Sequence, residues 1–169
     1  MIWHQSNRAD PLARAIADRH YNRQKPGTPQ FVPPGRCCVL YTKSEQGRAL
    51  WVTSFPFAEY VKHQWAGAWI CSAFRNEGAG IASLLIQEAV AATRAYFGEP
   101  PELGMITFID TKKVKPTKRH GMDTWGYTYE KAGFQFVGKT KKGLLAFQLL
   151  PKDMPQPEAA LPPMKGMNS

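Results

Sequence analysis

The sequence predicts a single α/β domain built on a mixed central sheet with flanking helices, and three observations carry that expectation. A strand pattern over residues 67–74, a helical pattern over 81–97 and a nearly continuous apolar run over 105–110 follow one another, and a strand–helix–strand succession implies a parallel crossover. Two apolar, β-branched and aromatic runs, 37–42 and 49–55, are joined by Lys43-Ser44-Glu45-Gln46-Gly47, which reads as an antiparallel hairpin. The chain has 169 residues, and one domain per roughly 100–200 residues leaves no room for a second full core.

Asp10-Pro11 has the form of an N-cap followed by proline at the first helical position, so a short helix is expected to run to about His20, with Leu12, Ile16 and His20 on one face. Residues 21–36 hold Pro26, Gly27, Pro29, Pro33, Pro34 and Gly35 among Arg23, Lys25 and Arg36, a composition that predicts a basic loop. The helix over 81–97 carries Ile81, Leu84, Leu85, Ala92 and Tyr96 at helical spacing and stops at Gly98-Glu99-Pro100-Pro101. After the apolar run come a basic loop over 112–119, a short helix over 127–132 and two closing strands, 134–137 and 144–149. Residues 1–150 thus form the domain, and 151–169, with five prolines, form a tail that is disordered or attached to the surface.

Lysine and arginine total 22 against 13 acidic residues, a net charge of +9, which points to a phosphate-bearing partner such as DNA or a phosphorylated cofactor. No apolar run approaches the roughly 20 residues that span a bilayer, so no membrane partner is expected. Cys37, Cys38 and Cys71 are too few for a disulfide framework, and the stretch beginning Met1-Ile2-Trp3-His4 lacks the charged segment and apolar run of a secretory signal; both predict a cytoplasmic protein. His4, His63 and His120 share no ligand spacing with one another or with a cysteine, so no metal is predicted. Among the aromatics, Trp51 and Trp69 are assigned to the core, whereas Phe55-Pro56-Phe57 is a candidate to meet an extruded base.

The sharpest chemical feature is Arg75-Asn76-Glu77-Gly78-Ala79-Gly80, between the third strand and the long helix. Glycines at such a turn let the backbone approach a ligand, and free amides at a helix start attract an anion. The same pattern serves equally as a plain tight turn. Further on lies Tyr129-Glu130-Lys131-Ala132-Gly133-Phe134, where a helix stops at glycine and a strand begins.

In this order, separated by a helix and an apolar strand, the two motifs resemble those of the GNAT superfamily of acyl-CoA-dependent N-acyltransferases over roughly residues 8–149. The resemblance implies an acyl-CoA donor, acetyl-CoA by the habit of the superfamily. It places the donor pyrophosphate on Arg75, Asn76, Glu77, Gly78, Ala79 and Gly80, makes Tyr129 the acid that protonates the leaving thiolate, and implies an oxyanion-binding amide near residues 71–73, where two strands splay. With Arg19-His20-Tyr21, Phe74-Arg75-Asn76-Glu77 and Phe108-Ile109-Asp110 added, the chain looks like the Mom family of phage DNA-modification proteins, which modify the exocyclic amine of adenine. That resemblance implies functional roles for Asp110 and Arg75, and a DNA substrate met in the host cytoplasm.

The residues carry their own argument beside it. A carboxylate at the carboxyl end of a buried strand stands where α/β proteins bind ligands, and Asp110 there would take the proton of a weakly nucleophilic ring amine; its other reading is a loop tether. His20 and Tyr21 are candidates to contact a base, although a histidine ending a helix also offsets the helix dipole. Lys112 and Lys113 open a basic run that continues through Lys115, Lys118 and Arg119, with Lys139, Lys141 and Lys142 on a second loop, and both runs suit a DNA backbone. The competing expectations are an N-acetyltransferase of a small amine or protein amine on the same fold, and a DNA-binding module without catalysis.

Overall fold

The computed structural model of the chain describes residues 1–20, 36–56 and 64–164. Tyr21, most of the predicted basic loop over 21–36, and Phe57, Tyr60 and His63 lie outside the described residues. Within them the chain is α/β, with a seven-stranded sheet and a separate two-stranded ribbon.

The elements follow in order: β1 (His4–Ser6), α1 (Pro11–Ala17), β2 (Arg36–Lys43), β3 (Arg48–Phe55), β4 (Trp69–Glu77), α2 (Ala82–Phe97), β5 (Met105–Ile109), β6 (Thr117–Arg119), β7 (Met122–Thr124), α3 (Tyr127–Lys131), β8 (Gln135–Lys139) and β9 (Leu145–Leu149). The large sheet is ordered β1-β2-β3-β4-β5-β9-β8, and β6 and β7 pair with each other. Its one parallel pair is β4–β5, joined through α2 as a crossover, so the sheet is mixed but mostly antiparallel.

Local chemistry explains the boundaries. Asp10 caps α1 by accepting the Leu12 amide at 2.9 Å and Pro11 supplies the first turn, but the helix ends at Ala17, three residues short of the expected His20. The β2–β3 hairpin extends beyond the apolar runs by Arg36 at its open end and by Lys43 and Arg48 at its turn, all of which join the ladder. The predicted loop over 112–119 is partly regular, since Thr117–Arg119 pairs with Met122–Thr124.

The sheet is covered on both faces. α2 lays Leu85, Ile86, Ala89 and Val90 on one face against Trp51, Trp69, Met105 and Leu149, and burying each large apolar side chain contributes about 1.5–3 kcal/mol. α1 packs Ala13 and Ile16 on the other face, against Val39, Tyr41, Leu50 and Val52. Trp65, Ala68, Ile106 and Ala146 form a third cluster. Buried polar groups are linked across the layers: Trp51 Nε1 donates to Thr53 Oγ1 at 2.6 Å, Thr53 lies 3.3 Å from Thr93 Oγ1, and Thr93 donates to the Ala89 carbonyl.

The described part of the tail lies along this body. After the 3-10 turn Pro151–Asp153, Met154 is buried, Glu158 N bonds the Ala91 carbonyl, and Leu161 exchanges backbone bonds with Trp3 and Gln5 beside β1. The N-terminal ammonium pairs with Glu88 at 3.0 Å, which raises its pKa. Among the described residues no helix is long and apolar enough to cross a membrane.

Candidate active site

The sheet opens between β4 and β5. They pair only at Trp69–Met105, Ile70–Ile106 and Cys71–Thr107; beyond that β4 continues to Glu77 beside β3 while β5 follows β9. At the same level the β3–β4 ladder pairs Val52 with Ala73 and Thr53 with Cys71, leaving Ser72 as a bulge. The bulge turns β4 away from β5, and the wedge between them is a cavity of about 200 Å³.

Its walls come from four elements: Cys71 to Phe74 from β4, Thr107 to Ile109 from β5, Ala82 from α2 and Tyr129 from α3. Tyr129 is half-buried and held edge-on by Phe74 and Phe134, with ring centroids at 6.4 and 5.4 Å. Among the lining residues is Cys71, whose carbonyl accepts Thr107 Oγ1 at 3.3 Å; burial pushes its thiol up to about 12, against smaller opposing effects of Thr107, Tyr129 and the Ala73 backbone. The Cys71 thiol is therefore a neutral part of the lining. The Ala73 amide and the Tyr129 hydroxyl belong to residues of the same cavity wall, and donors of these two kinds can stabilise negative charge developing on an oxygen or a sulfur.

The expected donor turn divides in two. Arg75, Asn76 and Glu77 belong to β4, and Leu50 and Ala49 pair with Arg75 and Asn76, so only residues 78–81 turn the chain into α2. Gly78 sits at φ +84, and Asn76 braces the turn by accepting the Ala79 amide and donating to the Gly80 carbonyl, both at 2.9 Å. The helix start carries no side-chain cap at Ile81, which leaves first-turn amides of α2 for an anion.

The Arg75 side chain does not point at that helix start. Its Nε donates to Glu77 at 2.7 Å and its Nη1 to the Arg19 carbonyl at 3.1 Å. Glu77 also receives Arg19 and Arg48, and these three guanidiniums hold its carboxyl down to about 2, below the usual carboxylate range. Arg75 and Glu77 thus tie the end of β4 to the segment that follows α1.

Of the remaining predicted residues, one lines the cavity, and Asp110, Lys112 and Lys113 do not. His20 lines it, and Tyr21 lies outside the described residues. Asp110 follows directly on β5 and is half-buried; its Oδ1 accepts the Lys112 amide at 3.0 Å, and its carbonyl accepts Lys113 N and Val114 N. The carboxylate therefore ties down the turn that carries Lys112 and Lys113, both exposed, between two cavity-lining residues, Ile109 and Val114. The cavity-lining Thr107 and Thr128 carry no expectation from the sequence, and Ser72 only as part of the 71–73 segment implied for an oxyanion-binding amide. Thr107 had a signal, a lone polar residue in an apolar strand, whereas a bulge at Ser72 leaves none.

Among the described residues no cluster of three or more histidine, cysteine or acidic side chains could hold a metal ion. A second cavity, of about 490 Å³, lies between Trp65, Phe108 and the lysines 139, 141 and 142 of the β8–β9 turn. Comparison with protein-family models, curated proteins and solved structures found no match for the chain.

Proposed function

We propose that the chain is an acyltransferase of the GNAT type, Mom-like, that moves an acyl group from a CoA thioester to an exocyclic amine of a nucleobase in DNA, adenine first. The observation that carries the reading is the parting of β4 and β5 at Cys71–Thr107, next to an uncapped helix start that follows a glycine turn. A long thioester donor inserted there has its phosphates at the first amides of α2 and its reactive carbonyl near the Ala73 amide and Tyr129. The charge of +9 and the exposed lysines after Asp110 support a polyanionic acceptor.

In this reading the chain works mainly by holding donor and amine together. As the new nitrogen–carbon bond forms and the carbon–sulfur bond breaks, Asp110 takes the proton lost by nitrogen and Tyr129 gives one to the leaving thiolate. The cavity size favours a second acceptor class: at about 200 Å³ it is smaller than the roughly 300–1,000 Å³ typical of ligand pockets and suits a small amine.

The test is nucleoside mass spectrometry of DNA from cells expressing the wild type or Asp110→Ala. A heavier nucleoside that vanishes in the variant supports the reading, and its mass increment names the acyl group. Unmodified DNA together with acyl transfer to a small amine in vitro selects the second class. Failure to bind any CoA thioester, measured by calorimetry, removes both.

A further inference from the structure

The predicted basic loop after Asp110 is a small, stiff β-ribbon. β6 and β7 pair through Thr117–Thr124, Lys118–Asp123 and Arg119–Met122, and the two residues between them, His120 and Gly121, both have positive φ, +52 and +76. That is the type I′ turn, whose twist matches a two-residue hairpin, and His120 is the one non-glycine at positive φ among the described residues.

The ribbon is braced at its root. There Trp125 Nε1 donates to the Val114 carbonyl at 2.9 Å and Thr124 Oγ1 to the Thr117 carbonyl at 2.9 Å, while at the turn end the Arg119 guanidinium lies 4.1 Å over the Tyr127 ring. Val114 and Tyr129, on either side of it in sequence, both line the β4–β5 cavity, so the ribbon stands at the cavity's mouth. Three residues per strand carry its tip about 10 Å from that root. Lys115 is exposed just before it, Lys118 is exposed on it and paired with Asp123 of the facing strand at 2.9 Å, and beside the turn the apolar Met122 is 65% exposed among the described residues.

We infer that this ribbon is a DNA-entering finger. Lys115 holds a phosphate, as does Lys118 once it exchanges Asp123 for one, the ribbon enters the major groove, which is wide enough for two strands, and Met122 fills the gap in the base stack left when the target base swings into the cavity. The exposed methionine has a task in this arrangement that solvent does not give it: an unstacked duplex step offers it apolar contact and keeps the extruded base from returning. The inference rests on the reading of DNA as the acceptor and assigns that reading its docking element.

The experiment uses the full chain and a labelled duplex carrying 2-aminopurine at a mispair, where extrusion costs least. Fluorescence anisotropy across a salt series reads binding, and 2-aminopurine emission reads unstacking. The wild type is expected to bind and to brighten the probe. Lys115→Ala should lower the slope of log affinity against log salt by about 1, and Lys115→Ala with Lys118→Ala should lower it further. Met122→Ala should keep the slope yet lose most of the brightening, about tenfold, with Met122→Gln in between. Thermal melting of each variant separates these effects from unfolding. Wild-type binding with the same slope and the same brightening in every variant overturns the finger and leaves the DNA reading standing; no binding by the wild type overturns both.

Discussion

The Arg19 guanidinium grips the Glu77 carboxylate with two nitrogens, Nε to Oε2 at 2.8 Å and Nη2 to Oε1 at 2.7 Å. The bidentate pair joins the segment after α1 to the last residue of β4, and the Arg75 side chain, bonded to both partners, lies between them. His20, which lines the cavity, follows Arg19 directly, so the clamp fixes the cavity's wall on that side. One carboxylate thus organises three arginines at the end of the strand that opens the sheet.

Glu77→Gln should therefore destabilise the fold by about 1–2 kcal/mol at pH 7, a value that allows for solvent around the half-exposed arginines. The pH dependence has a definite sign. The folded-state carboxyl titrates near 2, below its ordinary value of 4.5, so its contribution is complete above about 4.5 and fades as pH falls toward 2. Urea denaturation of both proteins checks this: the gap between them should close as pH drops from 4.5. A gap that stays constant would show that Glu77 does not supply the acid sensitivity.

Gly126→Ala should cost about 2–4 kcal/mol and misplace α3. Gly126 precedes that helix at φ +82, and an added Cβ would lie 2.2 Å from Phe147 Cζ, on a ring that is itself buried. Neither backbone nor ring has room to yield. Loss of thermal stability with a matching loss of near-ultraviolet aromatic signal is expected; a melting temperature within a degree of wild type would contradict it.

Much of the scaffold is legible in the sequence, because it depends on periodicity. α2 is announced by its alanine- and leucine-rich repeat, β5 by an apolar run too short for a helix, and the start of α1 by Asp10-Pro11. What the sequence conceals depends on pairing at a distance. Arg75 and Glu77 look like the beginning of a turn, yet β3 supplies ladder partners as far as Asn76 and three guanidiniums neutralise Glu77. The basic run after Asp110 looks like a loop because its turn is His-Gly rather than the commoner Asn-Gly. Of the candidate site, Tyr129 and His20 come together in the cavity, while Asp110 visibly performs the tethering role that its position also allowed.

The three cysteines should separate cleanly by reactivity. Burial pushes both Cys38 and Cys71 up to about 12, so near pH 8 only about one thiol in ten thousand is ionised at either position, and neither is open to solvent. Cys37, half-exposed on β2, is the one expected to react. Native-state alkylation should label one thiol and denatured protein three, counted by intact-mass spectrometry. Labelling of Cys71 in the native protein would mean that the cavity lining opens.

Tyr129→Phe is the sharpest probe of the proposed chemistry, since it removes one oxygen and keeps the ring. The packing against Phe74 and Phe134 involves only the ring, so the melting temperature should change little. The hydroxyl is the polar end of a ring that lines the opening between the strands together with Cys71. If it protonates the leaving thiolate, single-turnover transfer should slow by about 100-fold or more while donor binding is retained. A donor with a better leaving group, one whose thiolate needs no proton, should recover most of the loss, which a merely structural tyrosine would not permit. An equal slowing with both donors would assign Tyr129 to the cavity wall and leave proton delivery to another group.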